Sequence, residues 1–290
     1  AERLARFGEK TDPDALLEKL RRQPAPILVD VTAADGMEEI YVKAFGKGIH
    51  VVAANKKPLC ISREKREELF ASARSACRVY AYSTTVGASL PVIETLKNIV
   101  RTGDRPLLVE GSFSGTIGYL VNEVMAGVPL SEATRKARAD GYTEPNPQDD
   151  LAGTDVARKA LILAREMGLP LELEDVKVEP LIPSELLEPM ELEDFFAKLA
   201  KTDEAVASRA VSLRSKGMTL RYLARIEPSS ERGAPKVTVA PAEVEAEHPA
   251  FRLRGAEAFA AFTTERYNER PLIVQGAGAG GAVTAAGVLA

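Results

Sequence analysis

The chain has 290 residues, 45% hydrophobic and 28% charged, the make-up of a globular protein with room for one large or two ordinary domains. Such a balance excludes a disordered chain, a collagen-like repeat and a disulfide-stapled miniprotein. Lys plus Arg total 38 against 42 Asp plus Glu, a net charge of −4, so no global electrostatic footprint for nucleic acid or an anionic membrane exists, and small polar ligands are the expected partners.

No apolar stretch reaches the roughly 18 residues that a membrane span needs. The two cysteines, Cys60 and Cys77, show no metal-ligand spacing and favour a reducing compartment, with the cytoplasm expected. Ala1 opens the chain in place of Met, and Leu4, Ala5, Phe7 and Gly8 read as the middle of an element already under way, so a fragment is expected.

PILVDVT at 26–32 is a short apolar run bounded by Pro and Asp, the pattern of a buried parallel strand, and a helix follows at 37–47. IHVVAANK at 49–56 repeats the strand pattern. Residues 62–75 read as a charged amphipathic helix opened by Ser62 as N-cap, with Lys65 and Arg66 facing water, and RVYAY at 78–82 is a third strand. Alternating strands and helices predict a doubly wound α/β domain whose ligands bind beyond the C-terminal strand ends.

From residue 104 the texture changes. PLLVEGSFSG at 106–115 is strand-like, helices are predicted near 116–127, 131–140 and 154–168, and GYTEPNPQDDLAG at 141–153 reads as a loop. Further strands at 218–226, 234–241 and 270–275, with a polar turn at 227–235, predict a second α+β domain: an antiparallel or mixed sheet with helices on one side.

The loop and the helix after it gather Glu144, Asp149, Asp150 and Asp155 beside Pro145, Pro147 and Gly153. Acids at a helix entrance are favoured by its positive end, which is the ordinary explanation for such density. Lys159 lies four residues after Asp155 and on the same helix face. That pair is either a surface ion pair or an anchored catalytic ammonium. Lys56 ends a parallel strand, where α/β enzymes place ligand-facing groups, with Thr32 on the same rim.

Gly276, Gly278 and Gly281 spell a literal GxGxxG after a strand and before a helix, a weak match lacking a complete βαβ unit. STTVGASLP at 83–91 is a turn into a helix whose carbonyls could hold a hard cation or simply cap that helix. His50 and His248 are separated and suggest neither a triad nor a metal site, and neither cysteine has a nucleophile context.

Taken together, VDVT (29–32), ANKK (54–57), TVGASLPVIE (85–94), FSGT (113–116), GYTEPNPQDDLAGTDVARK (141–159) and QGAGAGGAVTAAGV (275–288) resemble homoserine dehydrogenases, most of all the dehydrogenase half of the bifunctional aspartokinase enzymes. The resemblance implies NAD(P)-dependent interconversion of L-homoserine and L-aspartate 4-semialdehyde, on the route to threonine, methionine and isoleucine. It implies Lys159 as proton donor and acceptor, Lys56 as a second lysine at the same centre, and Asp155 as the group holding Lys159. A lysine ammonium, with an ordinary pKa near ~10.4, can protonate the far more basic alkoxide left when hydride reaches the aldehyde carbon.

By the same resemblance Glu144, Asp150, Thr116 and Tyr142 surround the substrate, and Thr32, Lys56, Gly141, Glu144 and Gly280 lie near the cofactor, NADP or NAD. A sodium ion is implied on the carbonyls of Val86, Ala88 and Leu90, although Ser83 stands where the family has an acidic side chain.

The implied fold is a Rossmann-like doubly wound sheet, lacking its N-terminal glycine-rich βα unit, with an α+β substrate and dimerisation domain. Its expected division is 1–90 with 275–290 for the nucleotide, 91–218 for catalysis and 219–274 for dimerisation. A homodimer joined through its sheets and a fused aspartokinase are the implied partners. Two other readings stand beside this one: a regulatory or assembly module without the pyrophosphate loop, and another oxidoreductase of β-hydroxy or semialdehyde substrates.

Overall fold

The computed structural model describes residues 12–228 and 233–290, so the expectations placed on Leu4 to Gly8 and on the middle of the turn at 227–235 lie outside the described residues. The chain divides into two compact units, with the boundary after Tyr82.

The first unit opens with helix α1 (Pro13–Leu20), whose N-cap Asp12 accepts the Asp14 amide while Pro13 fills the first turn, where its missing N–H is harmless. Strands β1 (Ile27–Asp30), β2 (His50–Ala53) and β3 (Tyr80–Ala81) form a parallel sheet in the order β1-β2-β3. Helices α2 (Met37–Gly46) and α3 (Arg63–Ser75) supply the crossovers. Tyr41 and Phe45 from α2 and Phe70 from α3 all pack on Tyr80, so both helices cover one face.

The strand–helix alternation read from the sequence is therefore present, with three local corrections. Only Leu28 and Asp30 of β1 are buried; Ile27 and Val29 are each 49% exposed, because α2 and α3 share the opposite face. Ser62 flanks α3 without a side-chain capping bond. Arg66 does not simply face water but lies over the Phe70 ring, 4.5 Å from its centroid.

The second unit is built on a six-stranded mixed sheet in the order β5-β7-β6-β4-β8-β9. Its strands are β4 (Pro106–Ser112), β5 (Val176–Val178), β6 (Thr219–Glu227), β7 (Lys236–Val244), β8 (Glu257–Thr264) and β9 (Leu272–Ala277). Only β5 and β7 pair in parallel. Its helices are α4 (Val92–Arg101), α5 (Gly115–Ala126), α6 (Leu130–Ala139), α7 (Pro147–Leu151), α8 (Thr154–Glu166), α9 (Leu192–Leu199), α10 (Asp203–Ser215) and α11 (Gly281–Leu289).

Alternation along β6 sorts its two faces. Leu220 and Tyr222 turn toward α5, α8 and α10, whereas Leu223 joins Val244, Ala250, Leu253 and Phe259 on the opposite face. On that second face the buried Arg221 guanidinium donates to the carbonyls of Ala250, Phe251 and Leu253, fastening the 249–253 segment. The expectation of helices on one side of a mixed sheet thus matches the structure.

Helix α8 carries the largest apolar face of this unit: Val156, Ala160, Leu161, Ile162, Leu163 and Ala164 are all buried. Each fully buried leucine or isoleucine contributes about 1.5–3 kcal/mol, which makes α8 a rigid base for side chains at its N-terminal end. The stretch expected as loop at 141–153 contains α7, where Pro147 begins the helix and the Asn146 side chain accepts the Gln148 amide.

The GxGxxG segment is not part of a parallel βαβ unit. Gly276 lies in β9, antiparallel to β8, and a Cβ on Gly278 would stand 2.0 Å from that of Ala258, so this glycine serves close strand packing. By contacts, residues 83–90 and 275–290 group with the second unit; their assignment to a nucleotide domain rests on resemblance. Among the described residues β6, β7 and β8 each have neighbours on both sides, and β9 has β8 alone.

Candidate active site

In the second unit the residues singled out from 113–159 converge. Helix α8 begins at Gly153, held at φ +75°, a conformation L side chains rarely adopt. A Cβ there would also stand 2.1 Å from the Tyr222 hydroxyl, which donates to the Glu179 carbonyl. Gly153 therefore lets the helix start directly against the sheet. Two residues on, Asp155 places its Oδ2 2.8 Å from Lys159 Nζ, and the same ammonium donates to the Phe113 carbonyl at 2.6 Å. With its side chain only 15% exposed, Lys159 is held between its own helix and the turn after β4, not solvated at a surface.

Ser114 caps α5 by accepting the Ile117 amide, and this sets Thr116 in the first turn. The Thr116 hydroxyl donates to the Tyr142 carbonyl at 2.6 Å, and the Glu144 amide donates to Asp150 Oδ2 at 2.9 Å. Tyr142, 51% exposed, stacks on Tyr119 with centroids 5.2 Å apart and 19° between planes. Burial raises the Asp150 carboxyl above its ordinary range; the Glu144 amide and Thr116 hydroxyl pull it down, while the charges of Glu144 and Asp155 push it up again.

Gln148 ties this loop to the next segment by donating to the Leu186 and Glu188 carbonyls, and Arg138 donates to the Pro145 carbonyl. Gly141, at φ +75°, ends α6, and the turn holding Gly280 lies beside α5, since a Cβ on Gly115 would meet that of Ala279 at 2.9 Å.

Thr32 and Lys56 belong to the first unit, at the C-terminal ends of β1 and β2. The Thr32 amide donates to Asp30 Oδ1 at 2.8 Å, and the buried Asp30 also accepts from the Tyr41 hydroxyl and the Asn55 amide. Burial, then the bond to Asp30, keeps the Tyr41 phenol protonated far above its usual range. Asn55 reaches the Ala34 carbonyl and accepts the Lys57 amide, so one network organises both strand ends. Lys56 is half-buried, and Lys57 pairs with Asp35 at 2.7 Å.

Sequence reasoning passed over Asp30, Asn55, Phe113 and Tyr222. The signal for Asp30 was present, as an acid inside an apolar run; a backbone carbonyl such as that of Phe113 leaves none.

Around Val86, Ala88 and Leu90 the chain turns sharply, with Gly87 at φ +81° and Ala88 at φ +55°. The Leu90 carbonyl already accepts the Val92 amide at 2.7 Å, and Ser83 brings no charge. No group of three or more His, Cys, Asp or Glu side chains among the described residues could hold a metal. To a cation this turn offers backbone carbonyls and the uncharged Ser83, without the carboxylate that hard cations commonly draw on.

The two histidines are not partnerless. His50 Nδ1 accepts the Val79 amide, and His248 Nε2 lies 3.7 Å from Glu110. No described helix is long and apolar enough to cross a membrane.

A bifunctional aspartokinase/homoserine dehydrogenase of Arabidopsis thaliana is 39% identical over 284 residues, covering 97% of this chain and 31% of the relative. The chain therefore spans about a third of that relative's length. A homoserine dehydrogenase of Schizosaccharomyces pombe is 37% identical over 283 residues, covering 95% of this chain and 74% of the relative. The crystal structure of a putative homoserine dehydrogenase from Archaeoglobus fulgidus superimposes with a TM-score of 0.77 at 25% identity, covering 99% of this chain and 79% of that one. Its match supports a Rossmann-like parallel sheet for the first unit. Residues 1–82 match the NAD binding domain of homoserine dehydrogenase, and residues 91–290, which hold the Lys159–Asp155 pair and the acid loop, match the homoserine dehydrogenase domain itself, so this chain belongs to the homoserine dehydrogenase family.

Proposed function

We propose that the protein interconverts L-homoserine and L-aspartate 4-semialdehyde, with Lys159 exchanging the proton at the reacting oxygen. The observation that carries this reading is the Lys159 ammonium suspended between Asp155 and the Phe113 carbonyl beside a loop of acids. An ammonium has three protons. Asp155 and Phe113 take two, and the third is left to point at a substrate oxygen.

A nicotinamide dinucleotide supplies the hydride for reduction or accepts it for oxidation. As the aldehyde carbon gains hydride, Lys159 gives its proton to the oxygen and is reprotonated from water; in oxidation neutral Lys159 takes the hydroxyl proton. Proton transfer by a positioned group is worth about 10²–10⁴-fold in rate. Asp150 and Glu144 offer negative charge to the substrate's α-ammonium, Thr116 fixes the loop on which they stand, and Tyr142 flanks it. Asp150 suits this role because it is withdrawn from water beside two other acids, and a cation is what relieves it.

Thr32, Gly141, Glu144, Gly280 and Lys56 are the proposed cofactor contacts, NADP and NAD both being candidates. The ordered ends of β1 and β2 fit such a ligand, since parallel sheets bind dinucleotides there. Lys56 is also proposed to act on the substrate. Residues 91–218 are proposed for catalysis and 219–274 for dimerisation, through the free edge of β9 with its exposed Ile273. An aspartokinase is a proposed partner, after the bifunctional relatives, and Cys60 and Cys77, present as thiols and not as a disulfide, suit a reducing compartment such as the cytoplasm.

The test is NAD(P)H consumption with aspartate semialdehyde by the full natural chain, with dinucleotide titration beside it. Turnover abolished by Lys159→Ala supports the proposal. A protein that binds dinucleotide without turning over this substrate refutes it.

A further inference from the structure

The carbonyl that holds the Lys159 ammonium is itself set by a ring. Phe113 is 2% exposed, and its para carbon lies 2.1 Å from where a Cβ on Gly111 would stand. Only a residue without a side chain leaves the ring that position.

Gly111 on β4 pairs with Ala224 on β6 and with Ala260 on β8, both fully buried. Residues directly opposed across antiparallel strands share a face, so these three form a row of small residues across the middle of the sheet. Ala224 follows Tyr222 by two positions on β6, which puts the row on the side covered by α5, α8 and α10. The Phe113 ring lies over the centre of this row. From there its carbonyl meets Lys159 Nζ at 2.6 Å across 46 residues of chain.

We propose that Phe113, seated on Gly111, is a positioning residue for proton transfer, fixing the direction in which Lys159 presents its third N–H. The proposal rests on the reading of Lys159 as the proton donor. Asp155 alone lies on the same helix as Lys159 and moves with it; the Phe113 carbonyl belongs to the sheet and ties the ammonium to the second unit's rigid centre. Without it the side chain pivots about Asp155, and a displacement near 1 Å costs on the order of 10²-fold in rate.

The experiment is a rescue cycle in the full chain. Gly111→Ala pushes the ring away and is expected to lower kcat for semialdehyde reduction roughly 10- to 100-fold with KM nearly unchanged, since ground-state contacts remain. Phe113→Leu removes the colliding para carbon, so Gly111→Ala combined with Phe113→Leu is expected to recover most of that loss. An unchanged kcat in Gly111→Ala, a loss expressed in KM alone, or a double variant no better than the single one overturns the proposal.

If Gly111→Ala does not fold, Phe113→Tyr takes its place: a hydroxyl on the para carbon has no room over Gly111, and undiminished kcat there overturns the proposal. Readout without turnover comes from labelling Lys159 with an amine-reactive reagent, quantified by peptide mass spectrometry. Gly111→Ala is expected to label several-fold faster than wild type, and equal rates overturn the proposal. Normal kcat in Lys159→Ala refutes the reading of Lys159 instead, a result distinct from either.

Discussion

Two carboxylates of the second unit are both withdrawn from water, yet they are built for opposite ends. Glu110, in the middle of β4, has its cation within the fold: Arg225 Nη1 lies at 2.5 Å, with His248 Nε2 3.7 Å away on the other oxygen. Burial alone would raise its carboxyl, but the neighbouring His248 imidazole and the charge of Arg225 outweigh burial and hold it below the usual range. Asp150 has the reverse surroundings. Burial raises it, only an amide and a hydroxyl oppose that, and the charges acting on it are those of Glu144 and Asp155. A carboxylate with its cation supplied by the fold strengthens the fold; one partly withdrawn from water among other acids is poised for a cation that arrives with the substrate.

Removing the group held by Asp155 and the Phe113 carbonyl gives the largest effect. Lys159→Ala is expected to reduce kcat by ~10³-fold or more with cooperative unfolding retained, as steady-state kinetics and circular dichroism will show. A variant with near-normal kcat would leave Lys159 only the structural role of tying its helix to the turn after β4.

Next comes the contrast itself. Asp150→Asn is expected to raise KM for homoserine roughly 10-fold, the ~1.5 kcal/mol low end for a hydrogen bond to a charged group, while leaving the melting temperature unchanged or higher. Glu110→Gln should do the opposite, lowering stability by about 1 kcal/mol in denaturant titrations with kcat and KM intact; Arg225 is 42% exposed, so solvent screening keeps the loss small. If both substitutions acted on stability alone, the distinction between the two acids would collapse.

The smallest effects are in pH dependence, and their signs differ. The folded-state pKa of Asp150 is raised, so its contribution to stability is fully present below the ordinary 3.8 and is lost as pH rises through the folded value. That of Glu110 is lowered, so its contribution is present above the ordinary 4.5 and is lost as pH falls through the folded value. Acid unfolding of wild type is therefore expected to lose its Glu110 component in Glu110→Gln. KM for homoserine is expected to climb on acidification at a pH above the ordinary Asp range, because only ionised Asp150 attracts the substrate ammonium. A KM that stays constant as pH falls toward the ordinary Asp value of 3.8 would contradict that.

Some of this was legible one residue at a time. The apolar runs at 26–32 and 49–56 announced parallel strands, although β1 buries only one of its faces, and the Asp155–Lys159 spacing announced a shared helix face. Helices α9 and α10 and the short strand β5 were passed over: Leu192–Leu199 carries its apolar residues as the pair Phe195–Phe196 among acids, and Val176–Val178 is too brief for its alternation to show. Arg66 looked solvated because its charge was visible and the Phe70 ring beneath it was not. His248 looked solitary because its partner Glu110 precedes it by more than a hundred positions.

The sequence by itself determined the local chemistry: which residues are acidic, which lysine sits one helical turn after an aspartate, where strands must alternate with helices, and which family the motifs resemble. These follow from periodicity and spacing, which act over a few residues. Only the tertiary structure decided what holds the site in place. The Phe113 carbonyl on Lys159, the Tyr222 hydroxyl against Gly153, the small row Ala224–Gly111–Ala260 and the Arg225–Glu110–His248 cluster all join segments far apart in the chain. Their geometry is set by strand register and close packing, and neither is written in any one stretch of residues.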